Sequence, residues 1–139
     1  MRQILRLAVL IVGLVLTLTA CSPSADRPYE GVEVIPVMLE EAPAEVRAVV
    51  EENRARFFQR SLVIGDSTYI VAGYGEKPTA GYSVEFGEAL RRDDRVRVVV
   101  IYSAPAPGLA VAQVLTYPVT IARLDGRFDV SFEVQGDID

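Results

Sequence analysis

The sequence lacks histidine and tryptophan altogether and contains one cysteine and one lysine, Cys21 and Lys77. Histidine is the residue that most often acts as a general base or metal ligand near neutral pH, so its absence excludes histidine-dependent catalytic triads and most zinc sites. Cys21 has no partner for a disulfide within the chain. A serine–lysine pair would have to use Lys77, and the nearest serine that follows it, Ser83, lies six residues further along a turning loop, which does not establish contact. We therefore expect no enzymatic activity, no metal and no cofactor.

The charge balance is acidic and argues against nucleic acid as a partner. The chain has 14 basic and 19 acidic residues, for a net charge of −5. Removing a leader that contains Arg2 and Arg6 leaves 12 basic and 19 acidic residues, for a net charge of −7. A chain of this charge without a lysine–arginine stripe does not match phosphate backbones, and anionic headgroups repel it.

The N-terminus has the pattern of a secretory leader. Residues 5–20 are almost entirely apolar, follow Arg2 and Arg6, and end in small residues, which is typical of a signal peptide over 1–20. The sequence Leu18-Thr-Ala-Cys21 resembles the lipobox of bacterial lipoproteins, in which the cysteine is lipidated; the alternative is an ordinary leader with an incidental cysteine. The resemblance implies an acylated (palmitate-type) Cys21 and an extracytoplasmic protein anchored to the cell membrane, or to the outer membrane in a two-membrane cell. The short, polar, proline-containing stretch that follows predicts a linker over 21–31, and the remaining length predicts one globular domain over 32–139.

The remaining residues predict a mainly β (α+β) fold with one early helix. Apolar residues recur at helical spacing within 42–60, from Val46 to Phe57. After Ser61 the pattern changes to strands, with 87–94 as a polar connection, 111–116 as extended chain, and Asp125-Gly126 as a hairpin signal. About seven strands with one N-terminal helix favour an immunoglobulin-like β-sandwich or an open barrel.

The stretch 73–86, Gly-Tyr-Gly-Glu-Lys-Pro-Thr-Ala-Gly-Tyr-Ser-Val-Glu-Phe, is the most distinctive part of the domain. Pro78 and Gly81 define a bend, and the following strand places Tyr82 on the same face as other apolar residues, which predicts a core position for its ring. For Lys77 and Thr79 two interpretations stay open, a docking surface or a structural role in the turn.

Two motifs in order resemble a known family. Gly75-Glu-Lys-Pro-Thr-Ala-Gly-Tyr-Ser-Val-Glu85 and Ala112-Gln-Val-Leu-Thr-Tyr-Pro118 resemble the C-terminal domain of the protease complex subunit PrcB family, over about residues 62–124. Ala80 stands where the family usually has the first of two glycines. The resemblance implies a cell-surface lipoprotein that associates with and supports an extracellular serine protease, or another envelope protein. It implies no catalysis.

Pro78-Thr-Ala-Gly-Tyr82 is also similar to one loop of chagasin-like cysteine protease inhibitors, which implies loop-insertion inhibition as the alternative function. The other loops of that family have no match here. A third hypothesis makes both motifs structural and places the binding surface elsewhere, for instance on the exposed face of helix 43–60. The predicted partner-binding residues are Glu76, Lys77, Pro78, Thr79, Gly81, Tyr82, Gln113, Thr116, Tyr117 and Pro118.

Overall fold

The computed structural model describes residues 27–138, so the predicted signal peptide and lipidated Cys21 lie outside the described residues. The elements in chain order are β1 (Glu30–Gly31), β2 (Ile35–Pro36), a 3-10 turn (Leu39–Glu41), α1 (Ala44–Asn53), β3 (Phe57–Ile64), β4 (Ser67–Tyr74), β5 (Ser83–Arg92), β6 (Arg95–Ser103), β7 (Val119–Asp125) and β8 (Asp129–Gly136). None of the helices within 27–138 has the length and apolar character needed to cross a membrane.

The strands form two four-stranded sheets, which confirms the predicted mainly β, sandwich-like α+β fold. The first sheet has the order β1-β5-β6-β8 and the second has the order β2-β7-β4-β3. Neighbouring strands are antiparallel except for β6 and β8, which run parallel over eight residue pairs. Eight strands are present rather than about seven because β1 and β2 are two-residue strands that pair only with the ends of β5 and β7.

Two apolar layers hold this architecture together. Between the sheets, Ile70, Val98 and Leu124 are fully buried and form one part of the core. On the outer face of the second sheet, Val46 and Val50 of α1 pack against residues of β3, β4 and β7. The helix therefore covers one side of the second sheet, and the first sheet covers the other.

The helix is shorter than predicted. It ends at Asn53, and the side chain of Asn53 donates a hydrogen bond of 2.8 Å to the Val49 carbonyl. Phe57, which the helical spacing assigned to α1, instead begins β3 and pairs with Tyr74. β3 pairs with β4 along its whole length, from Phe57 opposite Tyr74 to Ile64 opposite Ser67, and this pairing outweighs the local helical pattern because its ladder gives backbone hydrogen bonds to alternate residues of β3.

Three further predictions about the β region are wrong in detail. Residues 87–92 continue β5 past a bulge between Phe86 and Ala89 and are not a connection. Asp125-Gly126 does not close a hairpin, because β7 and β8 lie in different sheets and the chain crosses between them there. The hydroxyl of buried Thr68 fixes this crossing, since it donates to the Gly126 carbonyl and accepts from the Phe128 N–H. Residues 111–115 belong to no strand.

Candidate binding site at the loop end of the sandwich

Both motifs of the sequence lie on connections that cross between the sheets at the same end of the sandwich. The first connection, residues 75–82, joins β4 to β5 and is called the Lys-Pro-Thr loop. The second, residues 104–118, joins β6 to β7 and is called the apolar loop. Ser83 and Ser103 pair where the two loops meet the first sheet, so the loops leave the sandwich side by side.

Backbone hydrogen bonds join the two loops into one unit. Lys77 and Thr116 form an isolated antiparallel bridge, in which each N–H donates to the other's carbonyl at 2.9 and 3.0 Å. The Ala80 N–H donates to the Ala112 carbonyl at 3.0 Å, and the Thr116 hydroxyl donates to the Thr79 carbonyl at 2.8 Å. The structure therefore brings together the residues of both predicted motifs.

The Lys77 side chain turns back onto the domain. Its ammonium nitrogen lies 3.9 Å from the centre of the Tyr74 ring and 5.3 Å from the centre of the Tyr82 ring. The two rings contact each other edge to face at 5.6 Å, and Tyr82 packs on the core as predicted. A cation over aromatic faces is attracted by the ring quadrupole, so Lys77 stabilises the base of its own loop. These contacts favour the structural interpretation of this side chain.

A second contact ties the loops to the helix. The Tyr117 hydroxyl donates a 2.7 Å hydrogen bond to the Glu76 carboxylate, and the Arg54 guanidinium lies 5.0 Å from the Tyr117 ring centre. The hydrogen bond to Glu76 is the main reason that the pKa of Tyr117 is raised. At the end of the apolar loop, the Pro118 carbonyl accepts from the Tyr74 N–H at 2.9 Å. Each loop is thus fixed to a neighbouring element.

Close packing between the loops depends on glycine at position 81. Gly81 has φ of +93°, which favours glycine, and a Cβ there would lie 2.9 Å from the Cβ of Pro105 and 3.2 Å from a Val111 methyl carbon. The predicted bend therefore has a specific cause, the contact of the Lys-Pro-Thr loop with the start of the apolar loop.

The predicted binding residues divide into two groups. Those exposed to solvent are Glu76, Pro78, Gly81 and Gln113, and those half-buried are Lys77, Thr79, Tyr82, Thr116, Tyr117 and Pro118. The Thr79 hydroxyl is within 3.0 Å of the Ala80 carbonyl, and it donates a hydrogen bond there. Much of the predicted set therefore makes internal contacts.

The most exposed large apolar side chains of the two loops are absent from the predicted binding residues. Leu109, Val114 and Leu115 of the apolar loop are 60%, 53% and 60% exposed. One feature of the sequence could have indicated this exposed apolar segment: no charged residue occurs between Arg97 and Arg123, in a chain that is 24% charged. We interpreted part of this run as a strand, and a strand assignment predicts burial of its apolar residues.

Further concave surfaces lie away from the bridge between the two loops. A groove of about 420 Å³ at the end of the apolar loop is lined by residues 36–40, Tyr117 and residues 119–121, and Met38 in its lining is 66% exposed. A pocket of about 510 Å³ at the opposite end of the sandwich is lined by Tyr29 and residues of the β5–β6 turn, including Arg92 and Arg95. Over residues 27–138, no group of acidic, cysteine or histidine side chains has an arrangement suited to a metal ion.

Comparison with known proteins identifies the central part of the domain. Residues 68–125 match the family model described as PrcB C-terminal, which confirms the resemblance seen in the two motifs. The matched range extends from β4 to the end of β7 and includes both loops in full. No curated protein and no solved structure matches the chain.

Proposed function

We propose that the protein is a lipid-anchored, non-catalytic binding module of the bacterial cell envelope. Its loop end binds an extracytoplasmic protein, and the partner we propose is a secreted protease. The observation that carries this proposal is that the PrcB C-terminal match spans both loops, together with the hydrogen bonds that join these loops into one surface. The resemblance to the PrcB family suggests association with a protease complex, and such a binding role requires a surface but no catalytic residues.

The rigidity of the loop end supports binding rather than chemistry. The Lys77–Thr116 bridge, the Tyr117–Glu76 hydrogen bond and the contact of Gly81 with Pro105 fix the loops before any partner arrives. A preorganised surface loses less conformational entropy on association. The inhibitor alternative has no comparable support, because the Lys77 side chain is packed against Tyr74 instead of projecting from the loop.

The anchor and the partner are tested separately. Replacing Cys21 with alanine is expected to release the protein from membranes and to abolish incorporation of radiolabelled palmitate. Unchanged membrane association and labelling would contradict the anchor.

For the partner, the native lipoprotein is crosslinked mildly in intact cells and purified with its neighbours for mass spectrometry. We expect a secreted protease to be enriched over a control lipoprotein of similar abundance. Recovery of cell-wall proteins and other lipoproteins alone would contradict a protease as the partner. If a protease is recovered, measuring its activity with and without the purified protein decides whether the protein supports or inhibits it.

A further inference from the structure

We propose that the exposed apolar side chains Leu109, Val114 and Leu115 insert into an apolar cleft on a soluble extracytoplasmic protein, with the Lys-Pro-Thr loop as their rigid support. This inference deepens the proposed function and rests on its lipid anchor. The partner then contacts the apolar loop, whereas the sequence motifs predicted contact through Lys77 and its neighbours.

The apolar loop has the composition of an interaction surface. Three large apolar side chains are more than half exposed within one segment that carries no charge. Exposed apolar clusters of this kind mark sites of interaction with proteins or membranes. The segment is also held in place, because Ala112 and Thr116 on either side of Val114 and Leu115 hydrogen-bond to the Lys-Pro-Thr loop. These side chains are thus presented on a fixed backbone.

The proposed lipid anchor lies at the other end of the domain from the apolar loop. Arg27 forms an ion pair with Asp93 at 2.8 Å, so the chain that leads back to Cys21 leaves the domain beside the β5–β6 turn. That turn lies at the opposite end of β5 and β6 from both loops. The length of these strands separates the two ends by about 30 Å at about 3.3 Å per residue, whereas residues 21–27 extend to about 20 Å at most.

This geometry argues against the bilayer as the occupant. An anchor at the β5–β6 turn holds that end near the membrane, so the apolar loop faces away from it. Bringing the loop to the headgroups requires the domain to lie on its side. Residues 27–138 contain 12 basic and 17 acidic residues, and anionic headgroups repel a surface with this excess of acids.

The same geometry argues against a second copy of this chain. A two-fold contact between the loop ends of two copies places their anchored ends on opposite sides of the dimer, about 60 Å apart for two domains of strand length about 30 Å. Two anchors in one membrane meet that condition only if both domains lie on their sides, against headgroups that repel their excess of acids. The occupant that satisfies both arguments is a protein that is not tethered in the same way, with an uncharged apolar cleft.

The test uses the full lipoprotein in its own membrane. The photoreactive residue p-benzoylphenylalanine is placed in turn at Leu109, Leu115 and Val63. Val63 is the matched control, because it is an apolar residue of 44% exposure beside the turn that follows β3, at the anchored end. We expect one soluble protein to crosslink from positions 109 and 115 and not from position 63.

The crosslinked protein is then purified, and its affinity for the lipoprotein is measured in detergent. We expect the double variant Leu109→Asp/Leu115→Asp to raise Kd by about 30-fold or more, as truncation of anchoring residues at interfaces does, and Val63→Asp to change it by less than about twofold. All variants are checked by thermal unfolding, where exposed positions are expected to shift Tm by less than about 3 °C.

Three results would overturn the proposal. One is a crosslink to phospholipid, or binding to phosphatidylethanolamine–phosphatidylglycerol vesicles that is present in the wild type and absent in the double variant. Another is a crosslink between two copies of the chain. The third is a partner that binds the double variant as tightly as the wild type. The lipid anchor is tested separately: if Cys21→Ala leaves palmitate labelling unchanged, the anchor is wrong. That result does not affect the affinity measured in detergent.

Discussion

Lys77 gives the sharpest test of the account of the loop end. Replacing it with glutamine removes the cation that lies 3.9 Å from the Tyr74 ring centre and 5.3 Å from that of Tyr82, and leaves the backbone bridge to Thr116 in place. A cation–aromatic contact contributes about 0.5–1 kcal/mol at exposed sites and about 2 kcal/mol when desolvated. For the half-buried Lys77 we expect a loss of about 1–2 kcal/mol in the free energy of unfolding.

Urea unfolding of the mature chain, with Cys21→Ser in every variant to prevent acylation, measures this loss. With a slope of about 1.5 kcal/mol per molar urea, the midpoint is expected to fall by about 1 M. Lys77→Arg keeps the cation and is expected to lose less than half as much, while Lys77→Met keeps the aliphatic packing and separates that contribution from the charge. Equal midpoints for Lys77→Gln, Lys77→Arg and the wild type would refute the structural role of Lys77.

Three further predictions concern the elements that hold the loops and sheets in place. Gly81→Ala is expected to cost about 1–3 kcal/mol, because alanine is strained at φ +93° and its Cβ meets Pro105; unchanged urea unfolding would contradict this. Thr68→Val leaves the Phe128 N–H without its hydroxyl acceptor and is expected to cost about 1–3 kcal/mol, whereas Thr68→Ser keeps the hydroxyl; equal losses for both would count against this role. Burial raises the pKa of Tyr102 above its usual 10.0, so stability is complete below that pH and falls as the pH rises through the folded-state pKa. Tyr102→Phe is expected to reduce the loss of stability at alkaline pH. Identical profiles of unfolding free energy against pH for the variant and the wild type would show that Tyr102 does not cause this loss.

Periodicity predicted the elements whose burial follows a simple repeat. Val46 and Val50 of α1 are buried as the helical spacing indicated. In the last strand, the alternation of Phe128, Val130, Phe132 and Val134 predicts inward-facing side chains; the first three pack against the core, whereas Val134 is 37% exposed. Where α1 ends could not be read from the same spacing. That boundary depends on the pairing of β3 with β4, and a local pattern does not contain this information.

The sequence indicated which two loops carry the motifs, but not how their side chains are arranged. The two motifs meet because Lys77 and Thr116, 39 positions apart, form a bridge that no local pattern contains. The sequence also does not tell which way a long side chain turns, and Lys77 turns inward onto Tyr74. Leu109 and Leu115 look like core residues in the sequence, and their 60% exposure becomes visible only when the apolar loop is placed on the folded domain.

The binding surface itself is tested most directly by hydrogen–deuterium exchange of the lipoprotein with and without the soluble protein that crosslinks to it. The account predicts slower exchange on binding within residues 75–82 and 104–118, with no change in α1 or at the β5–β6 turn. Protection confined to the exposed face of α1, with both loops exchanging as in the free protein, would contradict it and favour a structural role for the two motifs.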